Sequence, residues 1–292
     1  MTNKEYHNAL EKGFTIAIPS WNNDNYLNMC IEYIKKHSKY DHEILVFLNG
    51  CEDDSKQVCE KHGVAYMDSP ENLGICVGLN ALAEHASRAA FVYFNDDMLA
   101  MPDWDTNIVK FFKEYDIPEL SFITATMVEP KGVEQHITVS GPLINHGETW
   151  DTFDSDRFLK DLPAIKKMRP HQIGACWVPN VLSTRIYKEL GGMDEEYSPG
   201  RGSDPDIAAT FYEAGCRHFV SLGDSLVYHF GMISTPRMDT IKRTNPGQIF
   251  WNKWRNASWT GKYGQLHSEQ FLHQVLKRDK SAPNPFYGSP IA

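Results

Sequence analysis

The chain has 292 residues, of which 29 are basic and 38 acidic, so its formal net charge at neutral pH is -9. This excess of acid repels a phosphate backbone and argues against nucleic acid as a partner. Hydrophobic residues make up 41% of the sequence, enough for a substantial core, and no run of about 18 apolar residues predicts a membrane span.

The six cysteines are scattered, without a C-x-x-C pair or a zinc-like cluster. Isolated thiols are typical of proteins from a reducing compartment. Residues 1–12 are polar and charged and do not resemble a secretory signal. We therefore expect a cytoplasmic protein. Peripheral contact with the inner face of a membrane stays open, because a sequence does not show how side chains gather on the folded surface.

Up to about residue 128, short apolar runs alternate with amphipathic stretches, which is the pattern of βαβ units on a mostly parallel sheet. This pattern predicts strands at 14–19, 43–48, 64–67, 89–94 and 120–128. It predicts helices at 26–34, 53–62, 75–87 and 104–115. Each predicted strand except the last is followed by a helix, as a doubly wound α/β fold requires.

The second part of the chain is less regular. Residues 129–170 predict loops with a short helix near 155–168, and we expect substrate contacts there. Further strands are predicted at 175–179, 217–220 and 225–228, and further helices at 183–190 and 204–214. We divide the chain into a domain at 1–230, with a first half at 13–128 and a second half at 129–230, and a C-terminal extension at 231–292 that packs on or covers the site.

Small polar residues follow the first three predicted strands. Ligands of open α/β sheets bind at the carboxyl ends of the strands, where Asn side chains can read a base or a ribose and Gly lets the backbone come close. Turn chemistry alone explains any one of these clusters, but their recurrence favours a nucleotide pocket. The candidate residues for this pocket are Pro19, Ser20, Asn22, Asn49, Asn72 and Gly74.

Asn95, Asp96 and Asp97 come directly after an apolar strand. Adjacent carboxylates at a buried strand end repel each other unless a cation is bound, and Mg²⁺ or Mn²⁺ prefers such oxygen ligands. The alternative is that these acids cap the next helix. Farther along, Asp204 begins a predicted helix and His229 ends a predicted strand. Helix capping and a structural histidine are the simpler explanations for these two residues taken alone.

The order of these clusters resembles glycosyltransferase family 2, the inverting nucleotide-sugar transferases of GT-A fold, from about residue 14 to residue 229. The matching segments are 16–22 (IAIPSWN), 48–55 (LNGCEDDS), 72–74 (NLG) with Asn80, 94–98 (FNDDM), 190–195 (LGGMDE) and 203–207 (SDPDI), followed by His229. The resemblance implies an α/β fold of Rossmann-like type, with a mixed, mostly parallel sheet flanked by helices and a C-terminal helical or loop extension.

The resemblance also implies roles for individual residues. Asp97 falls on the most reliable carboxylate of the family's D-x-D metal motif, and His229 on its late histidine, so both are expected to bind Mn²⁺ or Mg²⁺. Asp204 falls on the catalytic base. Asn80, Asn95 and Asp96 are expected to bind the donor together with the residues of the nucleotide pocket. The half at 13–128 is then the donor half of the domain, and the half at 129–230 is the acceptor half. Two positions depart from the family pattern, since Asn95 replaces an aspartate and Ser203 a glutamate.

We therefore expect a metal-dependent inverting glycosyltransferase that moves a sugar from a UDP, GDP or dTDP donor to a hydroxyl acceptor, a saccharide or a glycolipid. Arg237, Lys242 and Arg243 are candidates to close over the diphosphate. At the start of a helix, Asp204 is expected to have a depressed pKa. The alternatives are a nucleotide-sugar-binding protein that has lost turnover, which the departures at Asn95 and Ser203 favour, and a nucleotidyltransferase.

Overall fold

The computed structural model describes residues 1–130, 141–173, 178–231, 233, 234, 237 and 245–254. The helices are α1 (Asn3–Leu10), α2 (Asp24–His37), α3 (Ser55–His62), α4 (Ile75–His85), α5 (Trp104–Glu114), α6 (Ser155–Ile165), α7 (Thr184–Glu189), α8 (Ser203–Glu213) and α9 (Pro246–Lys253). The strands are β1 (Thr15–Ser20), β2 (Glu43–Asn49), β3 (Ala65–Ser69), β4 (Ala90–Tyr93), β5 (Met98–Ala100), β6 (Phe122–Val128), β7 (Gln172–Ile173), β8 (Asn180–Ser183) and β9 (Phe219–His229).

The described strands form one sheet in the order β3-β2-β1-β4-β8-β6-β9-β5, with β7 paired to β9. The pairs β1–β2, β2–β3, β1–β4 and β6–β9 are parallel. Strand β8 is antiparallel to both β4 and β6, so β6 and β9 run in the same direction as β1. The carboxyl ends of β1, β2, β3, β4, β6 and β9 therefore meet at one edge of the sheet, which we call the carboxyl edge.

Helices cover both faces of the sheet, which is why its central strands are apolar throughout. Every residue of β1, β4 and β6 is buried. On one face α4 packs so closely on β2 that a Cβ atom added to Gly78 would lie 2.8 Å from the Phe47 ring. On the other face α6 contributes Phe158 to a second apolar cluster with Tyr228 of β9. Residues buried on both sides read as continuous hydrophobic runs rather than alternating ones.

The predicted fold class is confirmed: the sheet is mixed, mostly parallel and flanked by helices. Two strand predictions need correction. The strands predicted at 217–220 and 225–228 are one strand, β9, because a register shift opposite Ala125 and Thr126 lets it continue through the polar residues at 223–225. Residues 175–177 of the strand predicted at 175–179 lie outside the described residues. The described strand, β8, starts at Asn180.

The sequence analysis missed α1 and β5. The start of α1 carries a recognisable signal, because Thr2 and Glu5 form a reciprocal capping box. Strand β5 is only three residues long and follows the acid pair, so it looks like a connection until its pairing with β9 is known. In the part of the chain that the structure describes, no helix combines the length and the apolar character needed to cross a membrane.

Gly13 offers a test of the turn that leads into β1. Its φ is +97°, and a Cβ atom would lie 2.1 Å from the Asp41 carbonyl oxygen. Gly63, which ends α3 at φ +60°, has no atom within 4 Å of such a Cβ and is a matched control. We expect Gly63→Ala to lower the free energy of unfolding by about 1 kcal/mol, the cost of a left-handed alanine. Gly13→Ala should cost clearly more in urea unfolding, and equal losses would contradict the steric argument.

Candidate functional site

The carboxyl end of β4 is tied to the end of β1 through Asp96. This side chain is only 6% exposed. It accepts hydrogen bonds from the Ser20 hydroxyl at 2.8 Å and from Asn23 Nδ2 at 3.0 Å. Burial and the neighbouring charge of Asp97 raise the pKa of Asp96 to about 7, against the lowering effect of these hydrogen bonds. Asp96 therefore faces the first strand and spends its acceptor capacity within the protein.

Asp97 faces the opposite way, towards the end of β9. Its Oδ1 lies 3.3 Å from His229 Nε2 without making a hydrogen bond. On the other side of the ring, His229 Nδ1 lies 2.7 Å from Glu129 Oε1, at the end of β6. Burial lowers the pKa of His229, but the charges of Asp97 and Glu129 and its hydrogen bonding outweigh this and raise it to about 10. The positive imidazolium offsets one of the two negative charges that flank it.

These residues fit the metal that the sequence predicts. Asp97 offers a carboxylate oxygen without a hydrogen bond, and His229 offers Nε2 beside it, while Glu129 holds the other ring nitrogen as carboxylates do in metal sites. Among the described residues, no three His, Cys, Asp or Glu side chains form a group that alone could hold an ion. Mg²⁺ is commonly held by one or two carboxylates together with substrate phosphates, so two protein ligands suffice.

The other predicted donor-binding residues shape the loops at the carboxyl edge. Asn49, buried at the end of β2, accepts a hydrogen bond from the Leu73 amide at 2.7 Å. Asn72 accepts from the Gly74 amide at 2.9 Å and so closes a tight turn. Gly74 then starts α4 at φ +88°, where a Cβ atom would lie 2.7 Å from Ser198. These hydrogen bonds fix the shape of the loop before α4, and its Gly74 packs against Ser198.

Asn80 lies deeper, on α4, and its amide is used within the protein. Its Oδ1 accepts from the Met193 amide at 2.8 Å and from the Tyr187 hydroxyl at 2.9 Å, and its Nδ2 donates to the Met193 carbonyl at 2.8 Å. Nδ2 also lies within 3.1 Å of Glu195 Oε1. Asn80 therefore fastens the loop of the Gly-Gly segment to α4, and direct contact with a donor stays a prediction.

Pro19, Asn22 and Asn95 also lie at the ends of β1 and β4. Pro19 is buried within β1, and the half-buried Asn95 offers its carbonyl oxygen to the Met98 amide at 3.3 Å. Asn22 adopts φ 52° and accepts from the Glu52 amide at 2.7 Å, which joins the turns after β1 and β2. Arg237 reaches this turn from beyond β9. Its guanidinium lies 4.9 Å above the Trp21 ring and donates to the Trp21 carbonyl at 3.1 Å.

Asp204 lies in the first turn of α8, and one of its carboxylate oxygens is buried without a hydrogen-bond partner in the structure. Burial raises its pKa to about 7, outweighing the lowering effect of its own backbone amide. The predicted depression of this pKa is therefore wrong. The helix start does favour the carboxylate, but loss of solvent opposes it more strongly.

The hydroxyl of Tyr93 is affected by the charges of both the acid pair and Asp204. It is the last residue of β4 and only 5% exposed. Burial, and then the charges of Asp204, Cys76, Asp97 and Asp96, raise the pKa of its hydroxyl well above its usual value. A neutral phenol therefore lies within electrostatic reach of both acidic groups. The charges of Asp97, a predicted metal ligand, and of Asp204, the predicted base, thus both act on the Tyr93 hydroxyl.

Sequence reasoning missed Glu129 and Tyr93. Glu129 follows β6 directly and is 3% exposed. The rule that picked the residues after the first strands applies equally to it, so the signal was present. Tyr93 gave no such signal, because an aromatic residue at the end of an apolar strand reads as part of the core. Only its surroundings of charged groups distinguish it.

Comparison with known proteins agrees with this geometry. Residues 15–155 match the family model described as glycosyl transferase family 2. A sequence comparison with curated proteins finds no match. Among solved structures, the 1–349 fragment of S. aureus TarS superposes with a TM-score of 0.56 at 12% identity, over 91% of this chain and 73% of that one.

Two further structures of the fragment have been solved with ligands. The complex of TarS with UDP has a TM-score of 0.55 at 13% identity, over 93% of this chain and 73% of that one. The complex with UDP-GlcNAc has a TM-score of 0.54 at 13% identity, over 91% and 72%. Likeness at this identity supports the fold alone, and the family model supports the activity. Residues 15–155 are thus similar to glycosyl transferase family 2, and the fold is similar to that of TarS, so together the comparisons support a glycosyltransferase of GT-A fold.

Proposed function

We propose that the chain transfers a sugar from a UDP-sugar to a hydroxyl acceptor with inversion at the anomeric carbon, using Asp204 as the base and a divalent metal held by Asp97 and His229. The observation that carries the proposal is that Asp204 and Asp97 each have a buried carboxylate oxygen without a hydrogen-bond partner, and that the Asp97 oxygen lies beside His229. The acceptor hydroxyl and the leaving diphosphate lie on opposite sides of the reacting carbon. Asp204 is proposed to accept the proton of the hydroxyl, and Asp97 to hold the metal that binds the diphosphate.

UDP is proposed over the other nucleotides because TarS, which shares the fold, has been solved with UDP and with UDP-GlcNAc. The nucleoside would occupy the ends of β1, β2 and β3, beside Pro19, Asn22, Asn49 and Asn72. The bonds that hold these loops support this proposal, because a pocket already ordered by Asn49 and Asn72 loses little entropy when it binds. A saccharide or glycolipid is the proposed acceptor.

In the transfer step, the acceptor oxygen attacks the anomeric carbon, its proton passes to Asp204, and the bond from that carbon to the diphosphate oxygen breaks. A pKa of about 7 suits Asp204 to this task, since a base works best when its pKa lies near the operating pH. A divalent cation bound by Asp97 and His229 would offset the charge on the departing diphosphate. Asp96, held by Ser20 and Asn23, keeps the strand end in place beside them.

Donor binding should depend on a divalent cation. We expect UDP to raise the melting temperature in Mn²⁺ and much less after EDTA treatment, because the diphosphate charge is otherwise left beside Asp96 and Asp97. Asp97→Ala should remove the Mn²⁺-dependent part of this shift and leave the fold intact. The melting temperature is measured with UDP-, GDP- and dTDP-sugars, each with and without Mn²⁺. Equal shifts with and without the metal would reject the proposed metal site.

Asp204→Asn should lower kcat by about 10² to 10⁴, the typical contribution of one positioned base, while UDP affinity stays unchanged. Asn has the same shape as Asp but cannot accept the proton. The check is single-turnover transfer together with UDP titration by calorimetry. Near-normal kcat would mean that Asp204 only caps α8. A wild-type chain that binds UDP-sugar but transfers nothing, to water or to any acceptor, would instead favour the non-catalytic alternative.

The pH dependence of kcat should show an acid limb near pH 7. Below this pH the carboxyl group of Asp204 is protonated and cannot accept a proton, so kcat should fall about tenfold per pH unit. Asp96 has a similar pKa, so the profile of residual activity in Asp204→Asn is the necessary comparison. A limb that persists unchanged in that variant would assign the titration to another group.

A further inference from the structure

The first turn of α8 carries a second acid, Asp206, whose situation is the reverse of that of Asp204. Asp206 is 2% exposed, and both its oxygens are bonded. Oδ1 accepts from Trp254 Nε1 at 2.8 Å, and Oδ2 accepts from Lys253 Nζ at 2.8 Å. Both donors come from the end of α9, nearly fifty residues farther along the chain. Asp206 is thus occupied by partners and does not compete with Asp204 as the base.

Lys253 also bonds to the other side of the site. Its Nζ donates to Asp194 Oδ2 at 2.7 Å. Asp194 belongs to the Gly-Gly segment and caps the short 3-10 helix Glu195–Tyr197 through the Glu196 amide. The adjacent Met193 is the residue that Asn80 fastens to α4. A continuous set of hydrogen bonds therefore joins α9, α8, this segment and α4, and we call Asp194, Asp206, Lys253 and Trp254 the C-terminal clamp.

Apolar packing supports the clamp. Phe250 of α9 is 1% exposed and belongs to the main hydrophobic cluster. Gly202, directly before α8, has φ +88°, and a Cβ atom there would lie 2.8 Å from Pro246 at the start of α9. The Lys253 ammonium lies 6.0 Å from the centre of the Tyr197 ring. Helix α9 thus lies directly against the turn from which Asp204 projects.

We propose that α9 is a positioning element of the active site, in which Lys253 and Trp254 hold Asp206 and thereby fix the first turn of α8 with Asp204 on it. This inference rests on the proposed role of Asp204. A misplacement of about 1 Å of a reacting group can cost about 10² in rate, so a base on a helix end needs an anchor beside it. Asp204 and Asp206 are two residues apart, and of these two acids Lys253 and Trp254 bond only Asp206, so the anchor leaves the base free. The clamp lies outside the segment matched by the family model, 15–155.

The test separates positioning from general stability. Lys253→Met keeps the aliphatic stem but removes the ammonium, and Trp254→Phe removes the indole N–H. We expect each to lower kcat of UDP-sugar transfer about tenfold to hundredfold, while the affinity for UDP, titrated with Mn²⁺, and the KM for the donor change less than about threefold. Lys253→Arg should recover most of the kcat, because a guanidinium can still bridge two carboxylates.

Lys166→Met is the matched control. Lys166 is also partly buried and also joins two elements, since its Nζ bonds Asp103 at 2.9 Å and the Pro102 carbonyl at 3.0 Å. These partners follow the end of β5 that points away from His229, because β5 starts opposite His229 and runs antiparallel to β9. We expect this variant to keep the wild-type kcat at temperatures where it is folded, even if its melting temperature falls.

Wild-type kcat in both Lys253→Met and Trp254→Phe would overturn the inference. So would a parallel loss of kcat and UDP affinity in both, which would mean that the clamp only stabilises the fold. If Lys253→Met does not fold, the milder Trp254→Phe decides between these outcomes. A wild-type chain with no UDP binding and no transfer would overturn the proposed function itself, and this inference with it.

Discussion

The structure depends on how it keeps several acidic side chains buried at one edge of a sheet. Asp96, Asp97 and Glu129 at this edge, and Asp206 in the first turn of α8, are each at most 6% exposed, and an unpaired buried carboxylate is costly. Each of these acids has its own compensation. Asp96 accepts from Ser20 and Asn23, Asp97 and Glu129 flank His229, and Asp206 is held by Lys253 and Trp254. The topology makes this necessary, because parallel strands bring their carboxyl ends, and the polar residues that follow them, to the same place.

Asp204 stands apart from this pattern. One of its carboxylate oxygens has no hydrogen-bond partner in the structure, and its pKa is raised to about 7 mainly by burial. A structural acid in the same turn, Asp206, is bonded through both oxygens, so the difference between the two is not a property of helix starts in general. Unsatisfied buried polar groups are rare in folded proteins and are often kept for function. The contrast within one turn supports the proposal that Asp204 is the base and Asp206 its anchor.

Much of the fold and part of the candidate site could be predicted from the sequence, because both depend on where apolar strands begin and end. Apolar periodicity gives the strands and helices, and the rule that ligands bind beyond strand ends points to Asp96, Asp97 and the loops of Asn49 and Asn72. The rest depends on long-range contacts. No local pattern shows that Asn80 bonds to Met193, that Glu129 meets His229 across two strands, or that Trp254 reaches Asp206. The pKa of Asp204 was misjudged because a sequence shows the helix end but not the loss of solvent around it.

His229 illustrates how a single residue can satisfy both the fold and the chemistry. As an imidazolium it offsets part of the negative charge of Asp97 and Glu129, which helps the ends of β6 and β9 and the start of β5 to pack together. To bind a metal, His229 must lose the proton on Nε2. The cation would then be held by Nε2 and Asp97. Since Glu129 holds the other ring nitrogen in either state, the ring need not turn when proton and metal exchange. The ring of His229 can therefore keep one orientation with and without the metal.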